Sequence, residues 1–589
     1  MFKKIVLLAF CLISFFSFSQ IEYTLKMSNP QNHYFEVEMN IQGINSKEFE
    51  VKMPVWAPGS YLVRDFSKNV NLVRAFNEKG EALKVTKTKK NVWNIEKGAA
   101  KKVKVNYEVY AFELTVRTSF LDLTHGFVSG TGIFMYVESL RKQSGKLNII
   151  PHPSFKHITT ALVPSTEGVV TDNGKSFNYS DYDELADCPI EIGNQEIFTF
   201  NAAGVKHTVA MYGEGNYDIE RLKTDMAKVV EASTSVFKEN PNKEYVFIIH
   251  NVTDGQGGLE HVNSTTLSVN RFTYSDDKYI RFLTLVAHEY FHLWNVKRLR
   301  ALELGPFNYD EESYTSLLWV MEGFTSYYED LIVYKAGFMD DNEYLKILQN
   351  SINYVEGSEG SRVQPVAHAS LDAWIKAYKP NENSVNTTMS YYSRGGLLAN
   401  LMDLMIVEKF KGSKTLDDFM QLLYKKYYKQ MNRGFSAEEF EKEFSTFLGE
   451  NTDSFFQKYV YGTEIPDYSS LFKKVGIKAT DVSRKTPNFG AAVSSNIVKS
   501  IRSNSAAEKC GLSVNDEILA VNGYRLTGNE LFSLLSNLGE GEKVKLLVAR
   551  DQVLIELEAT NEAYKKLTYL LEFESDYLNN KNAKALLRK

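Results

Sequence analysis

The chain of 589 residues carries a formal net charge of −5 and exceeds the length that one hydrophobic core can organise, so we expect several domains. With 43% hydrophobic and 24% charged residues, its composition is that of a folded globular protein and excludes wholesale disorder. The slightly acidic balance gives no electrostatic case for binding nucleic acid.

The amino terminus has the pattern of a secretory signal peptide. Lys3 and Lys4 precede an apolar run that starts at Ile5, and small residues follow at Ser17 and Ser19. We predict cleavage near this point and export to the periplasm or the medium. A retained anchor is the alternative, although the run is short for a span of about 20 residues. Nothing later in the sequence predicts a transmembrane segment.

The residue pattern changes several times along the mature chain. Apolar and polar residues first alternate in short runs such as YFEVEM, which is typical of half-buried antiparallel strands. From about Lys278 to Phe455 apolar residues recur at helical spacing, and short strands return after Pro466. We therefore predict a multidomain protein with these parts: a signal peptide over 1–20, an antiparallel β-sandwich-like domain over 21–195, a mixed α/β and then helical domain over 196–466, a strand-rich module over 467–560 and a polar tail over 561–589.

His288, Glu289 and His292 form an H-E-x-x-H string with apolar flanks, which predicts a buried helix. Residues four apart share one face of a helix, so both imidazoles can reach one metal ion. Glu289 projects about 100° further round, where a carboxylate can take a proton from an activated water. The string therefore predicts a zinc-dependent peptidase. A chance pair of core histidines is the alternative, but burying these groups without partners would cost several kcal/mol.

A catalytic zinc site needs a third protein ligand, and two glutamates compete for that role. Glu311 lies in the polar stretch PFNYDEESY, which predicts a solvated loop. Glu322 lies in LLWVMEGFTSYYEDL, where a carboxylate among apolar residues requires a compensating partner. A metal ion would supply that compensation, so we favour Glu322; a buried salt bridge is the alternative for it.

These residues resemble gluzincin metallopeptidases, and among them the PDZ-containing glycyl aminopeptidase family. The segment WAPGSYLVRDFS at 56–67 is similar to the amino-terminal β domain of that family, and HEYFH and WVMEGF resemble its zinc site. The resemblance covers essentially the whole mature chain. It implies a thermolysin-like catalytic domain with one catalytic Zn²⁺, acting as an aminopeptidase on peptides whose first residue is small, such as Gly or Ala.

The same resemblance implies a substrate-binding strand at Gly257, Gly258 and Glu260, about 30 residues before the zinc helix. A glycine pair lets the backbone of a substrate approach closely, and Glu260 could pair with a free α-ammonium group. A glycine-rich turn with a solvated glutamate is the alternative for this segment.

The segment SYYSRGGLLANLMD resembles a Tyr-x-basic-Gly pattern whose phenol, in related enzymes, donates to the tetrahedral oxyanion. This similarity assigns the donor to Tyr392, with Tyr391 as the rival. Arg394, the basic residue of the pattern, is a candidate for binding substrate or for a packing role.

The carboxy-terminal sequence from Ile501 is similar to the core of PDZ domains, with Cys510 and Asn515 as mild departures. The resemblance implies a carboxylate-binding loop at Phe489 and Gly490, beside which a peptide tail could add as a strand. A degenerate packing module is the alternative, because the loop keeps one glycine of the usual pattern.

Three functional hypotheses follow from these observations. The first is a zinc aminopeptidase for short peptides or unstructured amino termini. The second is an endopeptidase in which the PDZ module captures the tails of substrates. The third is an inert peptide-binding protein of the cell envelope, and the intact set of Glu289, Glu322 and Tyr392 argues against it.

Overall fold

The computed structural model of the protein describes residues 20–166, 173–526, 534–535 and 537–589. All of the predicted signal peptide except Gln20 lies outside the described residues. The chain divides into two compact units. The first unit runs up to Pro54 and includes Asp65–Leu114 and Thr118–Asn194, and the second comprises Val55–Arg64, Thr115–Arg117 and Gln195–Lys589.

The first unit is built almost entirely of strands, in agreement with the predicted β domain. Its described strands form one sheet in the order β12-β13-β10-β1-β2-β7-β4-β5-β6-β3 and a smaller sheet in the order β11-β14-β9-β8. The strands are β1 Ile21–Lys26, β2 Tyr34–Gln42, β3 Glu48–Lys52, β4 Val70–Asn77, β5 Ala82–Lys89, β6 Val92–Glu96, β7 Lys102–Tyr110, β8 Phe120–Leu121, β9 His125–Val128, β10 Gly145–Ile150, β11 His157–Thr160, β12 Val163–Pro164, β13 Lys175–Tyr179 and β14 Ile190–Gly193, with one short helix, α1 Tyr182–Ala186.

The alternation in the sequence explains the packing of this unit. Strand β2 buries every second side chain, from Phe35 to Ile41, while the intervening residues are half-buried. Its neighbours β1 and β7 pair with it antiparallel, as predicted. One pairing differs from the expected pattern, because β1 and β10 run parallel.

The second unit begins with a mixed sheet in the order β15-β16-β17-β19-β18, in which β18 lies at the edge. Strands β16, β17 and β19 run parallel, whereas β15 and β18 each pair antiparallel with their neighbour. The strands are β15 Glu196–Ala202, β16 Val205–Tyr212, β17 Glu244–Val252, β18 Gln256–Glu260 and β19 Ser264–Asn270.

Helices follow this sheet over the range that the periodicity predicts. Their ends carry the expected caps: Asp218 accepts a hydrogen bond from the Arg221 amide, and Asp340 forms a capping box with Glu343. Among the described helices, none is long and apolar enough to cross a membrane. The helices are α2 Ile219–Phe237, α3 Asp276–Phe291, α4 Leu318–Met321, α5 Gly323–Lys335, α6 Asp341–Glu356, α7 Val366–Leu371, α8 Ser384–Thr387, α9 Tyr391–Lys409, α10 Leu416–Leu423, which continues as a π-helix over Tyr424–Gln430, α11 Ala437–Leu448, α12 Asp453–Tyr459 and α13 Tyr468–Lys473.

The carboxy-terminal region has a hydrophobic core of its own, with Val498, Ile518 and Val548 at its centre. Its main sheet has the order β22-β23-β24-β26-β27, with β25 paired to β24. The elements are β20 Ile477–Asp481, β21 Arg484–Pro487, β22 Ala491–Ser494, β23 Ile497–Ile501, α14 Ala506–Lys509, β24 Glu517–Val521, β25 Tyr524–Arg525, β26 Lys543–Arg550, β27 Val553–Thr560, β28 Ala563–Lys566, β29 Tyr569–Phe573 and α15 Lys581–Leu586.

The segment predicted as a polar tail, 561–589, is folded. Strand β28 pairs with β21, and β29 pairs with β20. Leu571, Leu586 and Leu587 are buried in the core of the second unit. The prediction failed because the many lysines of this segment conceal its apolar positions, which are spaced for strands and one short helix.

Arg588 shows how firmly this segment is attached. Its guanidinium lies 2.8 Å from a carboxylate oxygen of Asp403 and 2.9 Å from one of Asp417. Tyr327 donates to Asp403 at 2.6 Å and Tyr328 donates to Asp417 at 2.9 Å. Because both tyrosines belong to α5, the buried arginine neutralises the two carboxylates that anchor this helix.

Replacing Arg588 by alanine leaves Asp403 and Asp417 buried without their cation. Removing one partner of a buried ion pair costs about 3–5 kcal/mol, so we expect a clear drop in the midpoint of thermal unfolding, measured by circular dichroism. Lys584→Ala, at an exposed position of α15, the helix that precedes Arg588, is the matched control and should change stability by less than about 0.5 kcal/mol. Equal midpoints for the two variants would contradict this role of Arg588.

Candidate active site

The predicted metal ligands converge at the end of helix α3. His288 lies in its last turn, His292 directly follows it, and Glu322 lies at the junction of α4 and α5. The Nε2 atoms of the two histidines are 3.0 Å apart, and Glu322 Oε2 is 3.5 Å from that of His288 and 3.3 Å from that of His292. The rival Glu311 is exposed in a loop, where it accepts a hydrogen bond from Asn308.

These separations fit a metal ion. Ligand bonds of about 2.1 Å in a tetrahedral zinc site place the ligand atoms about 3.4 Å apart, close to the distances between His288, His292 and Glu322. All three side chains are buried. Without a metal ion to satisfy them, burying these polar groups would cost free energy. Burial opposes ionisation of Glu322, but the imidazoles outweigh it and lower the pKa of its carboxyl.

Two further residues orient the imidazoles. The Nδ1 atom of His288 is hydrogen-bonded to the carboxylate of Glu329, and that of His292 donates to the main-chain carbonyl of Asn295 at 2.8 Å. In each ring the Nδ1 atom is therefore hydrogen-bonded, and the Nε2 atom faces that of the other ring. This is the arrangement of metal-binding histidines.

Asn295 also joins the two elements that supply the ligands. Its side-chain amide donates to the carbonyls of Val320 and Met321, at 3.0 and 2.9 Å, directly before Glu322. One fully buried side chain thus ties the end of α3 to the α4–α5 junction. The sequence offered a signal for Glu329, which lies two helical turns after Glu322, but none for Asn295.

Glu289 lies beside the metal ligands, as its place on the helix predicts. Its carboxylate is buried, and within the described part of the chain its Oε2 atom has no hydrogen-bond partner. Burial raises the pKa of this carboxyl, against the opposing effect of the charges on His288 and His292. A Cβ atom added at Gly258 would lie 2.3 Å from the Glu289 carboxylate, so only glycine leaves it room.

Glu260, at the end of the edge strand β18, lies within reach of the same centre. One carboxylate oxygen of Glu260, one of Glu289 and a ring nitrogen of His292 lie within 4.8 Å of one another. The Oε1 atom of Glu260 is buried and unpartnered among the described residues. Gly59, whose φ is +86°, packs against it, since an added Cβ would lie 2.5 Å from that oxygen. Gly257, by contrast, has open space at that position.

The two candidate tyrosines occupy different places. The ring of Tyr392 stacks near His288, with 6.2 Å between ring centroids, and its other face stacks near Tyr391 at 4.8 Å. Tyr391 is almost fully buried, whereas Tyr392 is half-buried. Burial raises the pKa of the Tyr392 phenol well above its usual value, and the charge of Glu322 adds to this, so it stays protonated as a donor must.

Arg394, which the sequence left open between binding substrate and packing, is held within the fold. Its guanidinium is buried in an ion pair with Glu356 at 2.9 Å, and it donates to the main-chain carbonyl of Glu464 at 2.9 Å. Because these donors are used within the fold, Arg394 has the packing role that was the alternative.

The predicted PDZ loop contributes to the core of its module. Phe489 is buried there, its carbonyl accepts a hydrogen bond from the Ala507 amide, and the Gly490 carbonyl accepts one from Arg502 at 2.8 Å. Strand β22, which follows the loop, lies at the edge of the sheet formed by the described strands.

The fold and this constellation define a metallopeptidase: two histidines and a distant glutamate converge beside a buried second glutamate. The family profiles agree with the geometry. The Peptidase M61 N-terminal domain matches residues 22–194, the M61 glycyl aminopeptidase matches 281–398 and the PDZ domain matches 497–550. The chain belongs to the M61 glycyl aminopeptidase family, which confirms the predicted PDZ-containing family and its fold class.

Solved structures support the same assignment. An aminopeptidase N family protein from Idiomarina loihiensis is 30% identical, with a TM-score of 0.89 over 96% of this chain and 100% of that chain. An M1 zinc metallopeptidase from Deinococcus radiodurans is 13% identical, with a TM-score of 0.51 over 76% of this chain and 94% of that chain, and shows a shared fold. None of the curated proteins compared with the chain matches it.

Gly258→Ala tests the packing of the site. The added methyl group must displace the Glu289 carboxylate, and a shift of about 1 Å in a catalytic group costs about 100-fold in rate. We expect kcat to fall by roughly this factor while the protein stays folded and binds its metal. The measurement is steady-state peptide hydrolysis with metal content as the control; unchanged kcat would contradict the close contact between Gly258 and Glu289.

Proposed function

We propose that the protein is a zinc-dependent aminopeptidase that removes small residues, such as Gly or Ala, from the amino termini of short peptides. The observation that carries this proposal is the position of the Glu260 carboxylate, within 4.8 Å of Glu289 and His292. A carboxylate so close to the ligands can hold an α-ammonium group only if the scissile bond is the first one in the peptide.

His288, His292 and Glu322 would hold the zinc ion through the atoms that already converge. A zinc ion so bound supplies Lewis-acid polarisation of the scissile carbonyl and lowers the pKa of water. Glu289, with its unpartnered carboxylate oxygen, would accept a proton from the attacking water and pass it to the leaving amine. The phenol of Tyr392 would donate a hydrogen bond to the oxyanion that forms.

The surroundings of Glu260 support a preference for small first residues. Gly59 packs against its carboxylate on one side. Tyr61 is buried nearby and packs edge to face on Trp374 and Tyr378, with ring centroids 5.7 and 6.1 Å away. We propose that these packed aromatic rings limit the space for a long side chain next to the ammonium site.

Two further parts of the proposal concern the ends of the chain. We propose that the edge of β22 in the PDZ module can bind the carboxy-terminal tail of a peptide by strand addition. We also propose, from the signal-like pattern of the leader, that the enzyme is exported to the periplasm or the medium.

Glu289→Gln tests the general base. The amide keeps the shape of the carboxylate but cannot accept the proton, so we expect kcat to fall about 1000-fold with the metal content unchanged. Activity is measured with an Ala-initiated dipeptide, and metal content by mass spectrometry of the digested protein. Activity within tenfold of the wild type would rule out Glu289 as the base.

Glu260→Gln tests the recognition of the amino terminus. Losing the charge should lower kcat/KM for a free dipeptide about 10- to 100-fold, since a charge-assisted hydrogen bond contributes about 1.5–3 kcal/mol. Glu244→Gln, at an exposed position of β17, is the matched control and should retain wild-type activity. The N-acetylated dipeptide should be a poor substrate of the wild type. If the acetylated and free peptides are hydrolysed equally well, the protein is an endopeptidase instead.

A further inference from the structure

Arg117 is a cationic residue beside the candidate active site that has no role in the chemistry described so far. It belongs to the same compact unit as the metal ligands. Its Nη2 atom donates to the main-chain carbonyl of Gly258 at 3.2 Å, beside Glu289. Its Nε atom is buried without a hydrogen-bond partner, and no ion pair of Arg117 is found in the described part of the chain. The guanidinium therefore retains an unmatched charge and free donors.

Arg117 also lies close to other side chains of the candidate active site. Burial opposes its charge, yet the pKa of Arg117 is raised, because Tyr378, Tyr392, Glu289 and Glu260 lie close enough to act on it. The guanidinium thus lies among the groups proposed to bind the substrate and to donate to the oxyanion. A half-buried arginine with free donors is suited to bind a carboxylate in two-pronged fashion.

The direction of the edge strand shows which substrate group would reach Arg117. A peptide that adds to β18 antiparallel, with its ammonium group at Glu260, runs back along the strand towards Gly258. Glu260 and Gly258 are two positions apart in the strand, which corresponds to about 7 Å because a strand rises about 3.4 Å per residue. An extended dipeptide spans a similar distance from its ammonium to its carboxylate group.

Arg117 also uses a backbone group that a longer peptide would need. The Gly258 carbonyl, which a longer peptide would need for continued strand pairing, is already used by the arginine. A free terminal carboxylate, in contrast, can bind the remaining guanidinium donors without displacing this hydrogen bond.

We propose that Arg117 binds the carboxy-terminal carboxylate of the substrate, so that the site is built for dipeptides. This inference rests on the proposed function, because it takes Glu260 as the ammonium site. It makes the two ends of a dipeptide, and not its side chains, the main determinants of binding: Glu260 binds the cationic end and Arg117 the anionic end.

The test compares Ala-Phe with its carboxy-terminal amide and with the tripeptide Ala-Phe-Ala. The wild type should hydrolyse Ala-Phe with a kcat/KM about 10- to 100-fold higher than that of the amide, mainly through KM. In Arg117→Met this ratio should fall towards one. Arg117→Lys keeps the positive charge but loses the paired guanidinium donors. Its ratio of kcat/KM values should therefore lie between that of the wild type and that of Arg117→Met. Arg281→Met, at an exposed position of α3, is the matched control and should keep the wild-type ratio.

Two results would overturn the inference. One is a wild-type enzyme that does not distinguish Ala-Phe from its amide. The other is a full wild-type ratio in Arg117→Met with both substrates weakened equally, which would show that Arg117 only supports the Gly258 backbone. Neither result affects the proposed aminopeptidase function, which fails separately if N-acetyl-Ala-Phe is hydrolysed as fast as Ala-Phe.

Discussion

Two imidazole nitrogens and one carboxylate oxygen, from His288, His292 and Glu322, are held within 3.5 Å of one another in a buried place. Such a group of polar atoms is costly without an ion to satisfy it, and the surrounding fold must pay that cost through supporting contacts. Glu329 and the Asn295 carbonyl fix the two rings, and the Asn295 amide holds the end of α4 directly before Glu322. The metal site is therefore a property of three elements joined together, not of the helix alone.

The same centre organises the substrate side of the cleft. The edge strand β18 brings Gly258 against Glu289 and ends at Glu260, so one short piece of backbone fixes both the proposed base and the proposed ammonium site. A residue distant in sequence also supports the position of Glu322. Arg588 anchors α5, the helix that begins directly after Glu322. The candidate site near residue 290 is thus supported by a residue at the far end of the second unit.

Much of this architecture could be predicted from local patterns. Alternation predicts the strands of the first unit, and helical spacing with a buried H-E-x-x-H string predicts α3 and its pair of ligands. Burial of a lone carboxylate was enough to prefer Glu322 over Glu311. The patterns fail where a role depends on partners distant in sequence. Arg394 has the expected motif but pairs with Glu356, and Arg117 carries no local signal because only folding brings it to Gly258.

The most direct test of this account is a zinc titration of the chelator-treated protein, measured by isothermal titration calorimetry. It compares the wild type, Glu322→Ala and Glu311→Ala. The account predicts one tight zinc ion per chain in the wild type and in Glu311→Ala, and a loss of affinity of at least about 100-fold in Glu322→Ala with an unchanged circular dichroism spectrum. Wild-type affinity in Glu322→Ala, or no zinc binding by the folded wild type, would contradict it.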